Sequence, residues 1–140
     1  MYEGDKLIDG AVDTLNLLLK DFKIKYLTNT STRSRKLIFK KLLQFKLPLS
    51  ESDIFSPSIA ASIFLKKRNI SKIFLLANPQ LSEDFKEFKI DKNRSSAIVI
   101  GDLHKKFNWE NLNEAFQIVS ENDALIIALH KNKYCKRENK

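Results

Sequence analysis

Apolar positions along this chain fall into two patterns, a three-to-four-residue recurrence and short unbroken runs, and their alternation predicts the elements. Ala11, Val12, Leu15, Leu18 and Leu19 keep helical spacing behind a turn at Asp9-Gly10, so a helix is expected within Ile8 to Leu19. Lys23 to Leu27 reads as a strand. Ser31 or Thr32 is then the expected N-cap of a helix that buries Leu37, Ile38, Phe39, Leu42 and Leu43 and stops before Pro48. Ser50 to Phe55 reads as a short extended connection. Ser56-Pro57 signals a helix over Ser58 to Arg68, with serine as the cap and proline in the first turn, where its missing N–H breaks no helical bond.

The second half repeats the alternation. A strand is expected at Ile73 to Ala77, a short amphipathic helix at Leu81 to Phe88, a strand at Ala97 to Ile100, a helix from Asn108 to Ser120 and a last strand at Ala124 to Leu129. Trp109, Leu112, Ala115, Phe116 and Val119 sit at helical spacing, so Trp109 and Phe116 are expected in the core. Strands alternating with helices specify an α/β sheet with crossover connections. No internal repeat or low-complexity linker divides the chain, and the Asn69-Ile70-Ser71 tripeptide is only a slight boundary signal.

Composition adds bounds. With 140 residues, 43% apolar and 30% charged, the chain is long enough for one ordinary domain or pieces of two. Gly and Pro number 3 each against 10 Phe, which argues against disorder. The lone Cys135 excludes an internal disulfide framework and fits a reducing compartment. No run reaches the roughly 18 apolar residues of a membrane span, and the start M-Y-E-G-D-K lacks the charged and apolar regions of a signal peptide, so a cytoplasmic, non-membrane protein is expected. The formal charge is +8, yet the lysines are spread over almost every element, as solvated helix faces would spread them, and a nucleic-acid partner is not expected.

Candidate chemistry concentrates in Lys23 to Arg35, K-I-K-Y-L-T-N-T-S-T-R-S-R, where an apolar run ends in hydroxyl and amide side chains followed by arginines. Strand ends in α/β sheets face ligands, and small polar residues there can pair with phosphoryl oxygens while N–H groups of the next helix face the same anion. No D-x-D or D-x-S-G-T precedes the run, so an acidic nucleophile is missing beside it. Read locally, the same residues also suit a helix-capping turn with no ligand. Arg33 and Arg35 are secondary candidates for phosphate contact, or first-turn arginines facing solvent. His104 and His130 have no acidic or cysteine partner at catalytic or metal spacing and read as surface or strand-end residues. Asp102 follows the apolar run A-I-V-I-G but lacks a second acid, and reads as a loop residue.

Several stretches together carry a resemblance: I-D-G-A-V-D-T-L-N-L-L at Ile8 to Leu18, Y-L-T-N-T-S-T-R-S-R at Tyr26 to Arg35, L-S-E-S-D-I-F-S-P-S-I-A-A at Leu49 to Ala61, F-N-W-E-N-L-N-E-A-F at Phe107 to Phe116, and A-L-I-I-A-L-H-K-N-K-Y-C-K-R at Ala124 to Arg137. In this order they resemble the haloacid dehalogenase superfamily of phosphatases, subfamily IIA, which carries a large α/β cap. The resemblance implies an incomplete Rossmann-like core segment with the second family motif over residues 1 to about 70, then part of a C2-type α/β cap over 71 to 140. By motif match Thr28 and Asn29 hold phosphoryl oxygens.

The resemblance also implies Mg²⁺ in the complete family enzyme, an aspartyl-phosphate intermediate, and a small phosphoester, phosphoramidate or pyrophosphate as substrate. It leaves a homodimer open. The first, third and fourth motifs, which supply the nucleophile, a lysine and the metal carboxylates, are not matched here. An interior piece that is inactive by itself and holds no metal alone is therefore expected. The alternative is a non-catalytic phosphate-binding or dimerisation module. Cap-side substrate contacts are expected from Asn132 to Lys136.

Overall fold

The computed structural model describes residues 1–3 and 6–132. The first elements are a short antiparallel pair, β1 (Tyr2–Glu3) and β2 (Lys6–Leu7), in register Tyr2 to Leu7. Helix α1 (Ala11–Leu18) follows Gly10, whose φ of 74° is the left-handed conformation that glycine adopts without steric cost. Strand β3 (Tyr26–Leu27) is shorter than the pattern predicts and pairs in parallel with β4 (Ile54–Phe55), inside the stretch expected to be a simple connection. Between them lies α2 (Arg35–Gln44), whose N-cap is Ser34 rather than Ser31 or Thr32. Those two residues instead belong to the irregular turn that leaves the strand end.

Leu15, Tyr26, Ile38, Leu42, Leu47 and Ile54 form the core of this first unit, with Tyr2 and Phe45 stacked against it at 5.3 Å between ring centres. Only part of each predicted stripe is buried. Leu18, Leu19 and Leu43 are exposed, and Leu27 is 76% exposed at the end of a strand whose sheet, among the described residues, holds β3 and β4 alone.

Helix α3 (Pro57–Lys67) begins at the predicted cap, Ser56, whose hydroxyl accepts the Ile59 N–H at 3.4 Å. It ends where Asn69 turns left-handed at φ 57° and the Ile70 N–H returns to the Leu65 carbonyl at 3.1 Å, a C-terminal closure that releases the chain toward the next strand.

That strand, β5 (Lys72–Leu76), is central in a four-stranded all-parallel sheet of order β6-β5-β7-β8, with β6 (Lys89–Ile90), β7 (Ala97–Ile100) and β8 (Leu125–Ala128). Alternation along β5 and β7 sends Ile73, Ala97 and Val99 to one face and Phe74, Leu76 and Ile98 to the other. The first face is covered by Ala61 and Leu65 of α3 and by Leu81 and Phe85 of a 3₁₀ segment, Pro79–Phe85, tighter than the α-helix expected there. Ala115 and Ile118 of α4 (Trp109–Asn122) cover the second.

Trp109 and Phe116 are 73% and 68% exposed, which corrects their expected place in the core. Helix α4 turns Ala115 and Ile118 toward the sheet; Phe116, one position from Ala115, and Trp109, nine residues and about half a turn away from Ile118 around the helix, fall outside that narrow stripe.

Candidate functional site

Three strand ends meet on one side of the molecule. β3 ends at Leu27 and delivers Thr28; β7 ends at Ile100 and delivers Gly101 and Asp102; β8 ends at Ala128 and leads to His130. Together they border a crevice of about 980 Å³ between the turn Thr28 to Thr32 and the segment Ile100 to Phe107, with Ala128, His130 and Asn132 along its edge. Ligands of parallel α/β sheets bind outside the carboxyl ends of the strands, and this crevice occupies that position.

Thr28 is fixed by its backbone, whose N–H continues the β3–β4 pairing to the Phe55 carbonyl at 3.1 Å. Its hydroxyl accepts the Thr30 N–H at 3.2 Å and lies 2.9 Å from the Thr30 hydroxyl. Both hydroxyls keep a hydrogen-bonding direction available, because each carries one donor and two lone pairs. Asn29 is exposed at the tip of the turn.

The opposite wall is a loop held by its own aspartate: Asp102 Oδ1 accepts the His104 N–H at 2.8 Å, which supports His104 at φ 52°. The wall is apolar at Ile100, Leu103 and Phe107 and polar at Asp102, His104 and Lys105.

The structure thus brings Thr28 and Asn29 together in the crevice, faces them with Asp102, His104 and His130, and places Asn132 at the margin. Residues 133 to 136 of the expected cap-side contact lie outside the described residues. Arg33 is elsewhere, in a shallow basic depression of about 300 Å³ with Lys40, Lys41 and Gln44 of α2. Arg35 also turns away: its buried Nε has no hydrogen-bond partner and lies 3.5 Å from Glu51 Oε1 as a charge contact.

Nor is the first N–H of α2 free for a ligand anion. Arg35 N donates to both oxygens of Asp84, at 3.1 and 3.0 Å, so an internal carboxylate occupies the position that the sequence assigned to phosphate. Burial pushes the Asp84 carboxyl above its ordinary value, against the opposing pull of its bonds from Ser58 and Arg35.

Sequence reasoning missed Gly101, Lys105 and Phe107 in the crevice and Asp84 behind it. Gly101 and its neighbours carried a usable signal, since the residues just after a predicted parallel strand belong to the ligand-facing edge. Asp84 carried none, because its partner is 49 residues away. Among the described residues no three His, Cys, Asp or Glu side chains cluster as a metal site. Asp102 is the carboxylate bordering the crevice, and its Oδ1 already accepts the His104 N–H. The described residues do not fit a Mg²⁺ site by themselves.

A parallel sheet with helices on its faces and polar side chains at a strand end defines the class of α/β folds that receive ligands beyond the carboxyl ends of their strands. The particular family follows from comparison: the haloacid dehalogenase-like hydrolase family matches residues 1–91, and the chain belongs to it. It is 30% identical over 135 residues to the phospholysine phosphohistidine inorganic pyrophosphate phosphatase of Xenopus laevis, covering 95% of this chain and 49% of that protein. A 4-nitrophenylphosphatase structure from Thermotoga maritima superposes with a TM-score of 0.82 at 26% identity, over 96% of this chain and 52% of that one. A glycerol phosphate phosphatase from Mycobacterium tuberculosis, solved in complex with magnesium, shares the fold with a TM-score of 0.77 at 19% identity, over 92% and 40% of the two chains. The chain spans about half the length of the curated relatives it matches. Among the described residues, no helix is long and apolar enough to cross a membrane.

Proposed function

We propose that these residues form the phosphate-facing part of a Mg²⁺-dependent phosphatase that hydrolyses a small phosphoester, phosphoramidate or pyrophosphate through an aspartyl-phosphate. In this reading residues 1 to about 70 belong to the catalytic core and 71 to 140 to a cap. Thr28 and Asn29 hold the phosphoryl oxygens. The observation that supports it is the placement of these two side chains at the carboxyl end of β3, opening into the crevice opposite the Ile100 to Phe107 wall. A hydroxyl and a carboxamide held on a short backbone-paired strand can donate to equatorial oxygens as charge spreads over them, with little reorganisation.

The nucleophilic aspartate and the metal carboxylates have no counterpart among the described residues, so the 140-residue chain by itself binds phosphate and does not turn it over. A titration of the chain with inorganic phosphate, followed by amide resonances, tests this reading. Residues 28 to 32 should shift saturably, and Thr28→Val or Asn29→Ala should each weaken binding about tenfold, the scale of one hydrogen bond to a charged group. Unchanged affinity in both variants would overturn the site. Mg²⁺-dependent release of phosphate from a phosphoester by the pure chain would overturn its inactivity.

A further inference from the structure

The N-cap of α2 is incomplete in its own sequence. Ser34 takes the cap position, is 2% exposed and makes no side-chain capping bond, so the helix start depends on a group from elsewhere. That group is Asp84. Its two oxygens receive the Arg35 N–H, and Oδ2 also accepts the Ser58 hydroxyl at 2.6 Å. Ser58 is fully buried and 2.9 Å from the hydroxyl of Ser56, the cap of α3. One carboxylate therefore ties the starts of α2 and α3 to the 3₁₀ segment that covers the four-stranded sheet.

The aim of Asp84 is set by its neighbours. Leu81 and Phe85 flank it in the segment and are both fully buried, which leaves the carboxylate little freedom to follow a shifting helix. Gly101 comes close to the same turn on the other side: a Cβ added to it would lie 3.5 Å from the Ser31 carbonyl. The turn that carries Thr28 and Asn29 is thus bounded by Ser31 against Gly101 and by Arg35 against Asp84. Both neighbours come from the residues after position 70, and of the two the Asp84 carboxylate makes hydrogen bonds to the start of α2.

We propose that Asp84 is a positioning residue for the phosphate-facing turn, holding the start of α2 so that Thr28 and Asn29 keep their place opposite the Ile100 to Phe107 wall. The role rests on the phosphate reading of that turn. It goes beyond that reading by assigning the precision of the site to a carboxylate that never meets the ligand. The charged groups facing Asp84 are Arg35, through its backbone N–H and its guanidinium, and Glu51. With the carboxylate ionised, both oxygens accept. A neutral side chain of the same shape keeps one acceptor oxygen and holds the helix start less firmly.

The test is binding of inorganic phosphate at neutral pH by the full chain and by Asp84→Ala and Asp84→Asn. Val99→Ala, a truncation in the buried core, is the control, with the melting temperatures of all variants measured alongside. The expected result is about tenfold weaker phosphate binding in Asp84→Ala and a smaller loss in Asp84→Asn, which keeps one acceptor and serves if the alanine variant does not fold. Affinity in Val99→Ala stays at the parent value. Parent-like phosphate binding in the folded Asp84 variants, or an equal loss in the Val99 control, overturns the positioning role while leaving the phosphate site standing. Failure of the parent itself to bind phosphate overturns the reading of the site, and the role of Asp84 with it.

Discussion

Replacing Gly101 with alanine gives the sharpest test of how the crevice floor is built. A Cβ at this position would lie 2.9 Å from the Ala77 Cβ and 3.2 Å from Leu129 Cδ1. Leu129 ends in a rotatable methyl and can give way. Ala77 cannot, because its Cβ is fixed to the backbone and has no rotamer to exchange. The approach is the better part of an ångström closer than two methyl carbons tolerate, so the end of β7 must move away from the end of β5. Ala77 and Leu129 are both buried in the same apolar cluster, which spreads the displacement into packed neighbours.

Overpacking of this kind costs about 1–3 kcal/mol. For a chain of this size that corresponds to a melting temperature lower by about 3–12 °C. A double-mutant cycle isolates the cause. Ala77→Gly alone should cost about 1–2 kcal/mol through its lost methyl and added backbone freedom, but in that background Gly101→Ala should be cheaper by about 1 kcal/mol or more. Thermal and denaturant unfolding of the four proteins provide the numbers. A Gly101→Ala variant that melts with the parent, or two costs that simply add, would refute the steric account.

Two further predictions follow from the surface. Trp109→Ser and Phe116→Ser should each change unfolding free energy by no more than about 0.5 kcal/mol, whereas core aromatics lose about 3–5 kcal/mol on truncation; a denaturant midpoint far below the parent's would return these rings to the core. Asp53 accepts from Lys25 at 2.8 Å and from the Ser50 N–H and hydroxyl at 2.9 and 2.7 Å, and these bonds, the lysine's first, hold its carboxyl well below the usual aspartate range. Stabilisation of this sign is present above the unfolded aspartate value of about 3.9 and is lost as pH falls toward the folded one. Asp53→Asn should therefore lower the melting temperature at neutral pH, with the gap to the parent narrowing in strong acid, and a gap independent of pH would contradict the pairing.

The elements were legible where local chemistry decides them. Ser56-Pro57 marked the start of α3 because a hydroxyl cap and a first-turn proline act on adjacent backbone groups. The unbroken run Ala97 to Ile100 became β7 at the predicted bounds because a strand buried on both faces has no polar positions. Strand β4 was missed because Ile54 and Phe55 form a strand only through pairing with Tyr26 and Leu27, 28 residues earlier in register. The shift of the α2 cap from Ser31 or Thr32 to Ser34 has a similar origin, since Asp84 stabilises the later start.

By itself the sequence determined an α/β chain, most of its longer helices and strands, and membership in the haloacid dehalogenase-like hydrolases, and it put forward Thr28 and Asn29 as the residues to watch. Each of these resides in neighbouring residues or in motifs that survive as linear text. Tertiary structure alone decided which faces are buried, as Trp109 and Phe116 show, which arginines lie away from the crevice, and which distant segment forms the wall opposite the turn after β3. Packing and electrostatics act through space, so Gly101 meets Ser31 and Asp84 meets Arg35 only after two sheets and their helices have set the distances between them.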